Sequence, residues 1–430
     1  MISRRRFLEV GSAAVMIPAA NAGFSGARGT RESSGLPPSL AALKSRKSEA
    51  TPITRQERQQ RQESARQLMK DNGLDAMVLM TGTSLQYFAG IRWWGGERTF
   101  ALVLPANGNA FYVSPAFEEG RAREQIKNAP EGDHPDVRIW QEDENPYQLL
   151  AQGFHDRGVA TGTIGIEETV RYVFFEGMSK AAAQAKFVSA TPVTAGCRMI
   201  KSPHEIALLR LASQVTLAAY EATYRALKDG MTQPEVQDLV QKAHEQLGFT
   251  GGADVQVGEF SAFPHGSVTP QVVHEGTIVL MDGGCTVEGY ESDISRTFVL
   301  GKASDKMKSV FEIVHRAQSA ALAAARPGAE CGSVDSAARK VVTDGGYGPD
   351  YKYFTHRLGH GLGMDGHEWP YLVRGNPVKL QANITTSNEP GIYIRGEFGI
   401  RLEDDMHITE TGAELFTPQS PSLEDPFGRG

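Results

Sequence analysis

The chain has 430 residues, 40% of them hydrophobic and 22% charged. At roughly 150 residues per domain this length suggests two to three domains, and the composition excludes a disordered or collagen-like chain. Lysine and arginine total 44 against 51 aspartates and glutamates, a net charge of -7. With no basic excess to hold a phosphate backbone, nucleic acid is not an expected partner. Cys197, Cys285 and Cys331 stand far apart with no CxxC pattern, so disulfides are not expected to hold the fold. No apolar run reaches the roughly 18 residues of a membrane-spanning helix.

The first 22 residues read as an address. Arg4, Arg5 and Arg6 lead into Phe7-Leu8, an apolar stretch runs from Val10 to Ala19, and Ala20-Asn21-Ala22 offers a cleavage site. Charged, apolar, then A-x-A is the order of an export signal, and the arginine pair followed by Phe-Leu resembles a twin-arginine signal. The expectation is a periplasmic or secreted protein with no membrane anchor once the signal is removed. Residues 23–54, rich in Gly, Ser, Pro and charge, read as a flexible linker.

A polar helix is expected from about Gln56 to Asn72, closed by Gly73. Apolar runs at Ala76–Met80, Phe100–Leu104 and Ala110–Val113 read as buried strands. Strands alternating with helices predict a first α/β domain over 55–197. A second domain is expected over 198–420, with 421–430 as a tail. It opens at Ser202-Pro203-His204-Glu205, a capping box with proline at the first helical position. That helix should stop at Asp229-Gly230, and a second capping box, Thr232-Gln233-Pro234-Glu235, starts the next. The pattern recurs with helices over Lys306–Arg326 and Ser333–Asp344, each pair preceding a β-rich stretch. Gly230 and Gly328 lie 98 residues apart, so the catalytic half reads as a duplicated architecture without residue identity between its halves.

Five residues carry the candidate chemistry. Asp282 ends the apolar run Ile278–Met281, Asp293 follows Tyr290-Glu291-Ser292, His360 lies in Leu358-Gly359-His360-Gly361, Glu389 in Asn388-Glu389-Pro390-Gly391, and Glu403 in Ile400-Arg401-Leu402-Glu403-Asp404. Carboxylates projecting from a sheet into a core are costly unless paired or bound to metal. Four carboxylates and one imidazole form a hard O/N set suited to a pair of Mn, Co, Fe or Zn ions. Any one such acid, taken alone, is ordinarily a solvated strand end.

Together these segments resemble the pita-bread metallopeptidases, the family of Xaa-Pro dipeptidase (prolidase), aminopeptidase P, methionine aminopeptidase and creatinase. The likeness rests on Asp282-Gly283-Gly284, Gly289–Asp293, His356-Arg357-Leu358-Gly359-His360-Gly361, His367-Glu368-Trp369-Pro370, Glu389-Pro390-Gly391-Ile392-Tyr393 and Gly399–Asp404. It implies a creatinase-like α/β first domain and a pita-bread catalytic domain with internal pseudo-two-fold duplication. It further implies two divalent ions per subunit, manganese first among them, and a homodimer acting on proline-containing di- or oligopeptides. By the resemblance, Asp282 would chelate one ion, Asp293 and Glu403 would bridge both, and His360 and Glu389 would hold the other. The pair would supply hydroxide at neutral pH to attack the carbonyl before proline, with Glu389 passing its proton to the leaving nitrogen. His265 would stand near the leaving group, His356 and His367 would flank the metal ligand with His367 as the oxyanion donor, and Arg401 would orient the acids.

Methionine aminopeptidases usually lack such a first domain, and creatinase lacks the full ligand set. The remaining alternatives are a dimethylsulfoniopropionate lyase on the same fold and a catalytically dead binding module. Several prolidases carry an arginine directly after His-Glu-Trp-Pro, thought to hold the dipeptide carboxylate. Here that position is Tyr371, with Arg374 three residues on as the expected substitute. Trp93 and Arg98, in the first domain, either help close the substrate pocket or simply pack.

Overall fold

A computed structural model describes residues 35–428. The expected export signal over 1–22, and the linker residues through 34, lie outside the described residues. From Pro38 onward the chain folds as one unit.

Residues 38–54 are not the mobile linker that their composition suggests. Helix α1 (Pro38–Ala41) buries Leu40 fully, Ser39 Oγ donates to the Ala222 carbonyl at 2.8 Å, and Arg46 N–H donates to the Leu247 carbonyl at 2.8 Å. One fully buried leucine and paired backbone groups are enough to seat a short segment that Gly and Ser counts alone would leave free.

Helix α2 (Arg55–Asp71) starts on a capping box between Thr54 and Glu57. The first domain is then one mixed sheet, β1 (Ala76–Leu79), β2 (Ala101–Pro105), β3 (Phe111–Pro115), β4 (Asp136–Trp140), β5 (Thr163–Ile166) and β6 (Lys186–Ser189), in the order β4-β3-β2-β1-β5-β6. β1 pairs antiparallel with β2 and parallel with β5. Every residue of β1, β2 and β3 is buried, because α3 (Thr83–Ala89), α4 (Glu119–Ile126), α5 (Pro146–Asp156) and α6 (Tyr172–Ala181) lie in the connections. Helix α7 (Thr191–Met199) leads out of this domain.

The second domain begins at α8 (Pro203–Ala226), capped by Ser202 and Glu205 as the sequence predicts, followed by α9 (Gln233–Leu247). Its first β region contains β7 (Thr250–Gly251), β8 (Asp254–Val257), β9 (Ile278–Gly283), β10 (Cys285–Val287), β11 (Tyr290–Glu291) and β12 (Ile294–Val299), as three-stranded sheets ordered β11-β10-β7 and β12-β9-β8. Helices α10 (Asp305–Ala324) and α11 (Cys331–Asp344) start the second half. Strands β13 (Gly359–Gly361), β14 (Glu368–Leu372), β15 (Thr385–Asn388), β16 (Gly391–Ile394), β17 (Phe398–Arg401), β18 (Asp404–Ile408) and β19 (Ala413–Leu415) complete it. The repeat shows in matched details. Gly230 and Gly328 both adopt φ +85°, and the residues that follow make equivalent isolated bridges, Thr232 to Val272 and Glu330 to Lys379. A left-handed backbone at the helix–helix corner is why both positions are glycine.

Buried charged groups help join the two domains. Arg61 donates to Tyr290 Oη at 2.6 Å and pairs with Glu205 at 3.2 Å. Arg198 bridges Asp365 and Glu368, and Lys201 Nζ stands 3.5 Å from Glu368. Residues 421–428 pack rather than trail: Leu423 is buried and its carbonyl accepts from Val299 N–H at 2.9 Å.

Candidate metal centre

The five predicted ligands come together where three strand ends meet. β9 and β12 pair antiparallel with Asp282 opposite Ser295. β15 and β18 pair with Asn388 opposite Asp404, so Glu389 and Glu403 stand at the adjacent ends. An isolated bridge between Ser295 and Glu403 stitches the two halves together. β13 brings in His360. Ligand-capable atoms fall within 4.8 Å of one another in three overlapping sets: Asp282, Asp293 and Glu403; His360, Glu389 and Glu403; and Asp293, His360 and His367.

The imidazole is already oriented. His360 Nδ1 lies 3.1 Å from the Gly361 carbonyl, which can only accept, so Nδ1 carries the proton. Nε2 is left with its lone pair facing Glu389 at 3.3 Å and Asp293 at 3.6 Å. A second network runs behind the acids. Arg401 pairs with Asp282, donates to Ser295 Oγ at 2.8 Å and to Tyr393 Oη at 3.0 Å, and fixes the Pro264 carbonyl at 3.1 Å. Tyr393 Oη sits 2.7 Å from His356 Nε2, and His356 Nδ1 donates to the Arg357 carbonyl at 2.7 Å. Burial pushes the Tyr393 phenol up to about 12 and His356 down to about 4. The phenol therefore stays a donor and the imidazole stays neutral at physiological pH.

The electrostatics fit bound cations. Burial, and then the other acids, push Asp293 and Glu403 well above the usual carboxylate range. Burial also acts to raise Glu389, but the neighbouring His360, His356 and Arg401 overcome it and hold this acid low. Glu403 Oε1 is buried and has no hydrogen-bond partner among the described residues. Such an orphaned carboxylate oxygen costs free energy unless a metal takes it. Ser295 Oγ lies 2.6 Å from both Asp282 and Glu403 and can donate to one at a time. The donor set fits hard divalent ions.

The cavity at this centre has a volume of about 120 Å³ and is lined by the four acids and the His360 imidazole together with Pro264, His265, His356, Arg357, His367 and Arg401. His367 stacks on His360 with ring centroids 3.7 Å apart. Partial desolvation, then the His360 ring, lowers its pKa below the ordinary imidazole range. The next residue, Glu368, is buried, which would raise it, but the Lys201 and Arg198 charges hold it low.

Other expected substrate residues stand elsewhere. Trp93 stacks on Phe100 at 4.0 Å, and Arg98 pairs with Glu97 and Glu142 at the surface. Arg374 is exposed and bonded to Asp350 at 2.8 Å. None of the three lines this cavity. Tyr371 lines a neighbouring cavity that shares His367. Sequence reading gave no role to Ser295, Tyr393 or Arg357. Only strand register, which places Ser295 opposite Asp282, would have signalled the first.

The family description "Metallopeptidase family M24" matches residues 207–410, and "Creatinase/Prolidase N-terminal domain" matches 61–200. The putative dipeptidase YkvY of Bacillus subtilis is 33% identical over 359 residues, 83% of this chain and 96% of that protein. This chain belongs to metallopeptidase family M24. The Xaa-Pro dipeptidase of Lactobacillus delbrueckii subsp. lactis is also 33% identical, covering 83% of this chain and 96% of its own length. The crystal structure of dipeptidase PepE from Mycobacterium ulcerans superposes with a TM-score of 0.81 at 32% identity, over 87% of this chain and 99% of that one. The M24 member described here is therefore a metallopeptidase with a creatinase-type first domain and a pita-bread catalytic domain, the fold class expected from the sequence. The family implies divalent metal ions.

Proposed function

We propose that this M24 chain hydrolyses the Xaa-Pro bond of dipeptides and short peptides, using two divalent ions held by Asp282, Asp293, His360, Glu389 and Glu403. The observation that carries this reading is the convergence of those five side chains in overlapping sets within 4.8 Å. The Xaa-Pro dipeptidase relatives at about a third identity support the substrate class. When bound, the ions supply a water acidified to near neutral pH and a Lewis acid for the scissile carbonyl. Manganese is the first choice of ion, with Co, Zn and Fe as alternatives.

The chain's own groups do the rest. Glu389, held low, is an anion that accepts the proton of the attacking water and returns it to the prolyl nitrogen. His367, at the cavity mouth, donates to the oxygen that develops charge. His265, on the loop anchored by Arg401 through Pro264, faces the leaving side. Neutral His356 and Arg401 keep the acids in place through Tyr393.

The test is hydrolysis of Ala-Pro beside Ala-Pro-Ala by manganese-reconstituted protein and by Asp293→Ala. Cleavage of either peptide that disappears in the variant supports the reading. Two bound ions with neither peptide cleaved overturn it and favour a lyase on this scaffold. A protein that binds no stoichiometric metal is the dead binding module.

The resemblance also supports a homodimer exported through the twin-arginine pathway. Light scattering of the purified protein tests the first. Replacement of both Arg4 and Arg5 by Lys, which should abolish export, tests the second.

A further inference from the structure

Helix α11 turns Val334, Asp335, Ala338, Arg339 and Val342 into the protein. Two of these side chains are charged. Asp335 has no solvent exposure, Arg339 is 6% exposed, and Arg339 Nε donates to Asp335 Oδ2 at 2.7 Å. Taking two charges out of water costs about as much as their attraction returns, so stability alone does not account for an ion pair on this face.

The helix–helix unit does not demand the pair either. The two halves of the domain correspond at the 98-residue offset that relates Gly230 to Gly328 and Thr232 to Glu330. The same offset brings Val236 of α9 onto Val334 and Val240 onto Ala338, all four buried. In place of Asp335 and Arg339 the first half has Gln237 and Gln241, and Gln241 is exposed.

What the pair holds is the stretch that leads into β13. Residues 354–358 form neither helix nor strand, so their backbone groups need partners from elsewhere. Arg339 donates to the Phe354 carbonyl at 2.9 Å and to the His356 carbonyl, and its guanidinium lies over the Phe354 ring, 4.2 Å from the centroid. Asp335 Oδ1 accepts from Leu358 N–H at 3.0 Å. Leu358 is the junction. Its carbonyl accepts from Glu389 N–H at 2.9 Å, and His360 follows two residues later. One grip on Leu358 therefore fixes the backbone at both Glu389 and His360, whose side chains face each other at 3.3 Å. The other ligand set is steadied from elsewhere: Arg401 and Ser295 hold Asp282, Ser295 reaches Glu403, and Asp405 accepts from Asp293 N–H at 3.2 Å.

We propose that Asp335 and Arg339 are positioning residues for one ion of the pair, the ion held by His360 and Glu389, and that the ion at Asp282 and Asp293 does not depend on them. The proposal rests on the two-ion reading above. Neither side chain touches metal or substrate; both act through the backbone of residues 354–358.

The experiment titrates Co2+ alone into the metal-stripped full-length protein, read by calorimetry and by the visible absorption of bound cobalt, for wild type, D335N, R339M, R339K and V342A. Wild type should take up two ions. D335N and R339M should keep one ion at wild-type affinity and hold the second about tenfold or more weakly, the usual loss when a group that orients a metal ligand is removed. R339K keeps the charge and should recover part of that loss. V342A removes buried volume from the same helix face; it should lower the melting temperature and leave both affinities unchanged. If R339M does not fold, D335N and R339K decide by the same criterion. Two ions bound at wild-type affinity by every variant, or both ions weakened together, would overturn the assignment while leaving the two-ion reading intact. Wild type that binds fewer than two ions overturns both.

Discussion

His360 Nε2 stands 3.3 Å from Glu389 Oε1, with the opposite ring nitrogen committed to the Gly361 carbonyl. The lone pair and the carboxylate therefore face one point, as ligands of one ion would. Removing either should empty the centre. Asp293→Ala and His360→Ala are expected to lower bound metal, read by elemental analysis, and to cut kcat/KM by at least about a thousandfold, the scale of losing an ion's charge stabilisation. Chelation of the wild type should also lower its melting temperature, because metal binds the folded state only. A chelated protein that melts unchanged and stays active would refute the metal assignment.

Asp282 and Ser295 face each other because of a turn six residues away. Val287 pairs with Tyr290, and between them Glu288 and Gly289 both have positive φ, 51° and 92°. A two-residue turn of this kind fixes the register of both strands, and counting outward from it puts Ser295 on Asp282 and Asp293 beside Gly284. The space there is closed: a Cβ on Gly284 would fall 1.7 Å from the Ser292 carbonyl oxygen. Gly284→Ala meets backbone, which no rotamer change relieves, so it should cost about 3 kcal/mol and displace Asp293. Reduced metal occupancy together with a lowered urea midpoint is the expected result. A Gly284→Ala enzyme with native metal content would show that this part of the hairpin yields.

The ligands were legible in the sequence because all five lie in distinctive segments, Asp282, His360 and Glu389 directly beside glycine or proline, and the helices because their caps are explicit at Ser202 and Thr232. What surrounds the ligands was not, since it depends on pairing between distant strands. Ser295 gains its role only once β9 and β12 are in register. Arg357 stands inside a segment that the sequence marks for His360, yet nothing local tells that its side chain finds the Tyr371 ring instead of an acid. Arg374 was expected near the substrate by counting from Tyr371, but β14 ends at Leu372 and the chain turns at Gly375, so that side chain leaves the site. Residues 38–54 were misread because composition reports the average of a segment, whereas buried Leu40 and the Ser39 and Arg46 hydrogen bonds anchor this one.

Arg296 and Asp404 form an ion pair with no solvent exposure of either side chain, 2.6 Å apart. Arg296 also donates to the Glu403 carbonyl at 2.8 Å, which ties the pair to a ligand strand. Breaking it from one side leaves a buried carboxylate with only the Thr417 and Gln318 donors. Arg296→Met is expected to lower the apparent unfolding free energy by about 3 kcal/mol, while adding Asp404→Asn should recover part of that loss, because a neutral amide needs no counter-charge. Urea denaturation of the three holoproteins checks both steps. A double variant less stable than the single one would mean that the carboxylate is not what Arg296 neutralises.

His244 offers a pH test away from the metal. It is fully buried in α9 with Nδ1 donating to the Val240 carbonyl at 2.9 Å, and burial lowers its pKa from 6.5 to about 4. Between those values the unfolded chain takes up a proton that the folded chain refuses. Stability from this group is therefore complete above pH 6.5 and is lost as the pH falls toward 4, by about 3 kcal/mol in all. Other acids titrate in the same range, so the informative quantity is the difference between wild type and His244→Leu. Unfolding free energies measured from pH 7.5 down to 4 should fall more steeply for the wild type below about pH 6.5, while above pH 7 the difference between the two proteins should be constant. Parallel curves across the whole range would mean that His244 titrates normally in the folded chain and that its burial carries no cost to the charged form.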